Sequence, residues 1–192
     1  MSDQVGEDED VDRLVEEIRR LRAHVAQLEQ RVEQLDQLAH QDSLIDLPNR
    51  RGFLRELERL IARAKRYDAK GAMLFVDVDG LKAINDSFGH RAGDEALIQV
   101  ADLLSSGIRK SDVCARIGGD EFGILLESAD EKSAHETASR LIDLVAGWEL
   151  LHNGNELPLS VAIGVSLIQA DDTAETVMAR ADQEMYRRKA AA

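Results

Sequence analysis

At 192 residues, 44% of them hydrophobic, the chain has room for one domain with a real core plus an appendage. Aromatic residues make up only 4%, so that core has to be largely aliphatic. A formal net charge of −13 leaves no basic stripe to meet a phosphate polymer, which excludes a nucleic-acid partner. A small phosphorylated ligand stays open, because a bound metal ion can supply positive charge locally. Cys114, the one cysteine, lies in an apolar stretch and reads as a buried structural thiol. No window approaches the ~20 apolar residues of a membrane span, and residues 1–10 lack the basic start and apolar run of a signal peptide. A cytoplasmic protein with no membrane partner is therefore expected.

Residues 1–10 are acidic and predicted to be disordered, and a coiled-coil helix is predicted over 11–41. Val11, Ile18, Val25 and Val32 occupy heptad position a, and Leu14, Leu21, Leu28 and Leu35 occupy d. β-Branched residues at a with leucine at d favour a parallel two-stranded coil. In such a pair Glu17 meets Arg22, His24 meets Glu29 and Arg31 meets Asp36 of the second helix. Each contact is worth only about 0.3–0.5 kcal/mol, so these pairs set orientation and register more than strength. The seam fails at Ala39 and Asp42, and a second domain is predicted over 42–192.

That domain opens with a break around Pro48, followed by a helix over 51–67 whose Phe53, Leu54, Leu57, Leu60, Ile61 and Ala64 share one side. The apolar run 72–76 reads as a strand buried on both faces. A short helix or turn over 81–88, a loop over 89–94 and a helix over 95–108 follow. Residues 113–127 read as a hairpin, strand, tight turn and strand, with the glycines of Arg116-Ile117-Gly118-Gly119-Asp120-Glu121-Phe122 supplying positive φ at the tip. A helix over 131–147, a strand pair over 148–151 and 157–169 turning at Asn153-Gly154, and a helix over 173–188 complete the chain. The β-α-β-β-α-β order makes this an α+β domain of ferredoxin-like type.

In a ferredoxin-like sheet the first strand and the central hairpin are neighbours. Asp77, ending its strand, and Asp120, at the hairpin tip, are thus expected to face each other across about 5 Å. Carboxylates converging in this way build a Mg²⁺ site with positions left open for substrate phosphates, the layout of two-metal phosphoryl chemistry. Taken alone, Gly-Gly-Asp-Glu reads equally as an ordinary acidic turn, and Asp77 as a solvated strand end.

The longer motifs decide between these readings. Phe75-Val-Asp-Val-Asp-Gly-Leu-Lys-Ala-Ile-Asn-Asp-Ser-Phe-Gly-His-Arg-Ala-Gly-Asp94, Arg116-Ile-Gly-Gly-Asp-Glu-Phe122, Ser160-Val-Ala-Ile-Gly-Val-Ser166 and Arg180-Ala-Asp-Gln-Glu-Met-Tyr186 together resemble the GGDEF family of diguanylate cyclases over residues 40–190. The resemblance implies a nucleotidyl-cyclase, palm-type fold that joins two GTP into cyclic di-GMP and two pyrophosphates across a homodimer. It implies that Asp77, Asp120, Glu121 and the Val78 carbonyl hold Mg²⁺ or Mn²⁺, and that Asp120 or Glu121 takes the proton of the ribose 3′-hydroxyl. It implies that Gly80, Leu81, Lys82 and Lys189 contact phosphates, and that Asn85 and Asp94 read guanine. A buried Asp94 would be left unpaired by adenine, a strong penalty.

Arg109-Lys-Ser-Asp112 resembles the family's RxxD site, where cyclic di-GMP binds and inhibits, with Arg140 as its second arginine. The chain departs from the family at Ile45-Asp46, where Thr-Gly is usual; Asp tolerates positive φ, so the turn is expected to survive at a cost. Since one domain holds one GTP, the coil is expected to raise the effective concentration of the second domain. Two other readings compete: a catalytically silent domain that senses GTP or cyclic di-GMP, and an interaction protein whose coil pairs with a different coil.

Overall fold

A computed structural model describes residues 3–191, and the chain divides into two units, residues up to Ala39 and residues from His40 onwards. In the first, helix α1 runs over Asp3–His40. It therefore reaches through most of the acidic stretch expected to be disordered. No proline interrupts this segment, and its acids lie at the positive end of the helix dipole, where they favour helix. Met1 and Ser2 lie outside the described residues. Ile18, Leu21, Val25, Leu28, Val32 and Leu35 form an apolar stripe that is 48–65% exposed; the side chains of Val11 and Leu14 lie outside the described residues.

The second unit is built from α2 (Arg50–Tyr67), β1 (Gly71–Val78), α3 (Leu81–Phe88), α4 (His90–Ser106), β2 (Val113–Arg116), β3 (Glu121–Glu127), α5 (Glu131–Ala146), β4 (Glu149–His152), β5 (Asn155–Pro158), β6 (Val161–Leu167) and α6 (Ala174–Ala191). Four strands form one antiparallel sheet in the order β2-β3-β1-β6. This is the ferredoxin-like arrangement, with β1 central and flanked by the hairpin on one side and by β6 on the other. Each face carries its own helix layer, because alternate residues of a strand point to opposite faces. Ala72, Leu74, Val76 and Val78 of β1 join one core cluster with residues of α3, α4 and α5. Met73 and Phe75 join the other, with Phe53, Leu57 and Ile61 of α2 and Val177, Ala181 and Met185 of α6.

Helix ends follow local chemistry. The Asn49 side chain accepts from the amides of Arg51 and Gly52 and starts α2, while Asp130 and Ser133 form a reciprocal capping box at α5. Asn153 and Gly154 both have positive φ, as a tight two-residue hairpin turn requires, and join β4 to β5.

Two expected boundaries and one expected turn differ. Residues 90–94 are helix, not loop, because Gly89 alone makes the bend at φ 86 and Gly93 sits in ordinary helical backbone against the Asn85 side chain. The stretch 157–169 is split: β5 ends at Pro158, which cannot donate to a ladder, and the separate β6 pairs with β1. At the other end of the domain Asp46 does not take positive φ; among the described non-glycine residues only Asp68, Ser128 and Asn153 do. Instead the Asp42 carboxylate accepts from the amides of Leu44 and Ile45, and buried Ile45 anchors the turn in the core.

Candidate active site

The register of the sheet decides which acids meet. Asp77 pairs with Glu121, not with Asp120. Directly opposed residues of an antiparallel pair share a face and sit about 5 Å apart, so these two carboxylates project to the same side, the one covered by α2 and α6. Asp120 sits just outside the strand, and its carbonyl accepts from the Val78 amide at 2.9 Å. That bond seats the acidic tip against the end of β1.

The tip is built differently from the expected glycine turn. Neither Gly118 nor Gly119 has positive φ. The Glu121 carboxylate folds back over Gly118, so that a Cβ there would lie 2.2 Å from Oε2 and push the side chain out of this position. A Cβ on Gly119 would meet nothing within 4 Å. Arg116 fastens the turn, its Nη2 donating to the Gly119 carbonyl at 2.7 Å and its Nη1 pairing with Asp42 at 3.3 Å. Arg50 Nη1 reaches the Ile117 carbonyl at 3.4 Å from the start of α2. Motif reading missed Asp42, Arg116 and Arg50 as supports of the tip; their signal lay in pairings 67 and 74 residues apart, which no local pattern carries.

The electrostatics are those of a site short of positive charge. The Glu121 carboxyl is held above the ordinary range, first by desolvation, then by the charges of Asp120, Asp77 and Asp182, with Arg50 opposing. Lys189, near the end of α6, donates to Asp77 and lies 3.2 Å from Asp79. The other Asp79 oxygen accepts from Ser160 Oγ at 3.0 Å. Among the described residues no three His, Cys, Asp or Glu side chains converge as a ready-made metal cage. The donor set nevertheless suits a hard divalent cation: clustered carboxylate oxygens, one with raised proton affinity, and one already holding an ammonium. A groove of about 650 Å³ opens beside Glu121, lined by Arg50, Leu54, Phe75, Met178 and Asp182 among others.

The remaining predicted residues fall nearby. Gly80, with φ 70, is followed by α3, which starts without a side-chain cap and offers free amides. Lys82 is exposed. Asn85 packs against Gly93, whose Cβ would lie 2.0 Å from Asn85 Oδ1. Asp94 is exposed, not buried, so an unmatched base would leave it to water and the expected penalty shrinks. On the far side of the domain Asp112 is occupied structurally, accepting from the amides of Arg109 and Glu127 at 3.0 and 3.1 Å. Arg140 donates to the Gly107 carbonyl at 2.5 Å, which brings it beside the Arg109 segment. Cys114 is buried and its thiol is pushed up to about 12 by burial, as suits an inert core residue.

A family model described as "Diguanylate cyclase, GGDEF domain" matches residues 39–192. The chain belongs to the GGDEF family. Bifunctional diguanylate cyclase/cyclic di-GMP phosphodiesterase MucR of Pseudomonas aeruginosa is 39% identical over 153 residues, covering 79% of this chain and 22% of that protein. Probable diguanylate cyclase DgcE of Escherichia coli is 38% identical over 152 residues, 79% of this chain and 14% of its own. The chain thus spans less than a quarter of the length of either relative. Among solved structures, the coiled coil and GGDEF domain of DgcB from Caulobacter crescentus, in complex with cyclic di-GMP, matches with a TM-score of 0.86 at 25% identity, over 93% of this chain and 95% of that one. No helix of the described residues is long and apolar enough to cross a membrane.

Proposed function

We propose that this GGDEF domain is a working diguanylate cyclase that condenses two GTP into cyclic di-GMP as a homodimer, in the cytoplasm. The observation that carries the reading is the register pair Asp77–Glu121 with the Asp120 backbone fixed beside it, three acids at one end of the two inner strands in a family of named cyclases. Asp77, Asp120, Glu121 and the Val78 carbonyl are the groups that would hold Mg²⁺ or Mn²⁺. Bound there, the ions would neutralise triphosphate charge and lower the proton affinity of the attacking hydroxyl.

The chain's own groups do the rest. The free amides after Gly80, with Lys82 and Lys189, receive the β and γ phosphates at a helix start, where anions are favoured. Asn85 and Asp94 hydrogen-bond the guanine edge. The ribose 3′-oxygen of one GTP attacks the α-phosphorus of the other, the bond to the β-phosphate breaks, and pyrophosphate leaves. The proton passes to a carboxylate of the tip, Asp120 or Glu121.

Each domain supplies half of this reaction, so two must face each other. The exposed a and d stripe of α1 supports a parallel coiled coil as the device that holds them. Arg109, Asp112 and Arg140 are assigned to inhibition by cyclic di-GMP, with the two arginines gripping the ligand and Asp112 shaping the loop. Incubation with GTP and Mg²⁺ should yield cyclic di-GMP and pyrophosphate, and Asp120→Ala should abolish both. GTP binding without turnover by the unaltered chain would replace the enzyme with a sensor.

A further inference from the structure

We propose that Lys189 is a built-in counter-ion for the carboxylates of the metal seat, a clamp that must open before a divalent cation enters. The inference rests on the reading that Asp77 is a metal ligand. Lys189 stands 112 residues from Asp77, on the last turns of α6, yet its ammonium bridges Asp77, near the end of β1, and Asp79, on the connection just after it. The Lys189 side chain is 42% exposed, and the carboxylates it meets are more sheltered. The Asp77 side chain is only 17% exposed and that of Asp79 34%. Asp79 is fixed from behind, its amide donating to the Ser160 carbonyl at 2.9 Å and one carboxylate oxygen accepting from Ser160 Oγ. The remaining oxygen and Asp77 form a two-carboxylate seat, and the chain fills it with its own cation.

The physical reason is charge. Asp77, Asp120 and Glu121 lie together at one end of β1 and β3 with Asp79 just beyond, and leaving these acids without a cation is costly. An ammonium on a long stem relieves that cost and holds the carboxylates near the seat, but a divalent ion and Lys189 cannot both occupy it. Departure of Lys189 is easiest when it gains a new partner, which the incoming phosphates provide. Metal and nucleotide should therefore bind with positive coupling, and metal alone should bind against the clamp.

The test is Mn²⁺ binding without nucleotide, followed by electron paramagnetic resonance, on the full chain, Lys189→Met and Asp77→Asn. Removing the clamp should tighten Mn²⁺ affinity about fivefold, the scale of a partly exposed ion pair, and Asp77→Asn should lose binding. The metal-free melting temperature of Lys189→Met should fall slightly, while its rise on adding Mn²⁺ should exceed that of the unaltered chain. Unchanged or weaker affinity in Lys189→Met, retained affinity in Asp77→Asn, or no binding by either the full chain or Lys189→Met would overturn the clamp. GTP turnover is assayed in parallel: an active chain with unchanged Mn²⁺ affinity refutes only the clamp, and an inactive chain with tightened affinity in the variant refutes only the cyclase.

Discussion

Gly93→Ala separates substrate recognition from stability in one substitution. The new Cβ would lie 2.0 Å from Asn85 Oδ1, 2.8 Å from its Cγ and 3.1 Å from its Nδ2. Real contacts of this kind are at least about 3.4 Å, so the Asn85 amide has to turn away by more than an ångström. The backbone has no objection: Gly93 does not take positive φ and lies inside α4, where alanine is favoured over glycine by up to about 1 kcal/mol. The melting temperature should therefore hold or rise slightly. GTP binding should suffer, because Asn85 can no longer reach the guanine edge. Losing one hydrogen bond of about 1–1.5 kcal/mol raises KM roughly five- to tenfold. Initial rates across a GTP series, beside a thermal melt of the same preparation, give both numbers. An unchanged KM would refute the role of Asn85, and a melting temperature lowered by several degrees would show that α3 and α4 had moved apart instead.

Glu121→Gln should abolish cyclic di-GMP formation while raising the metal-free melting temperature at neutral pH. The sign follows from the raised carboxyl: a folded-state pKa above the unfolded one means the ionised form destabilises the fold above that pKa, and the difference between the two proteins should vanish on acidification. A drop in melting temperature at pH 7.5, without metal, would contradict the charge assignment. Arg109→Ala should keep both activity and stability and relieve inhibition by added cyclic di-GMP, whereas Asp112→Ala should also cost about 1–3 kcal/mol in denaturant melts, since two backbone amides lose their acceptor. Deleting residues 1–38 should leave a folded domain whose rate per chain depends steeply on concentration. At micromolar protein the loss should be on the order of 10²-fold, given millimolar effective concentrations in tethered pairs; unchanged specific activity there would remove the coil from the mechanism.

Much of the domain was legible because its signals are local. The apolar run at 72–76, the Asn153-Gly154 turn and the amphipathic helices depend on neighbours within a few residues, and each reappears as β1, the β4–β5 turn and α2, α5 and α6. Two of the misreadings concern glycines. Gly93 and Gly118 look like loop glycines in the chain, but neither has positive φ, and the side chains of Asn85 and Glu121 fold over them into the space a Cβ would take. Asp46 looked like a strained turn residue until the Asp42 carboxylate took over the turn's amides.

The residue types at the candidate site, and the family that owns their spacing, were already written in the order of amino acids, since several long motifs in sequence leave little freedom. Which acid faces which was not. A one-residue change of register would turn Glu121 to the opposite face and bring a different acid against Asp77, and register is set by the packing of two helix layers rather than by the tip itself. The cation on Asp77 was equally invisible, because Lys189 lies 112 residues away and only the folding of α6 onto the sheet brings its ammonium there.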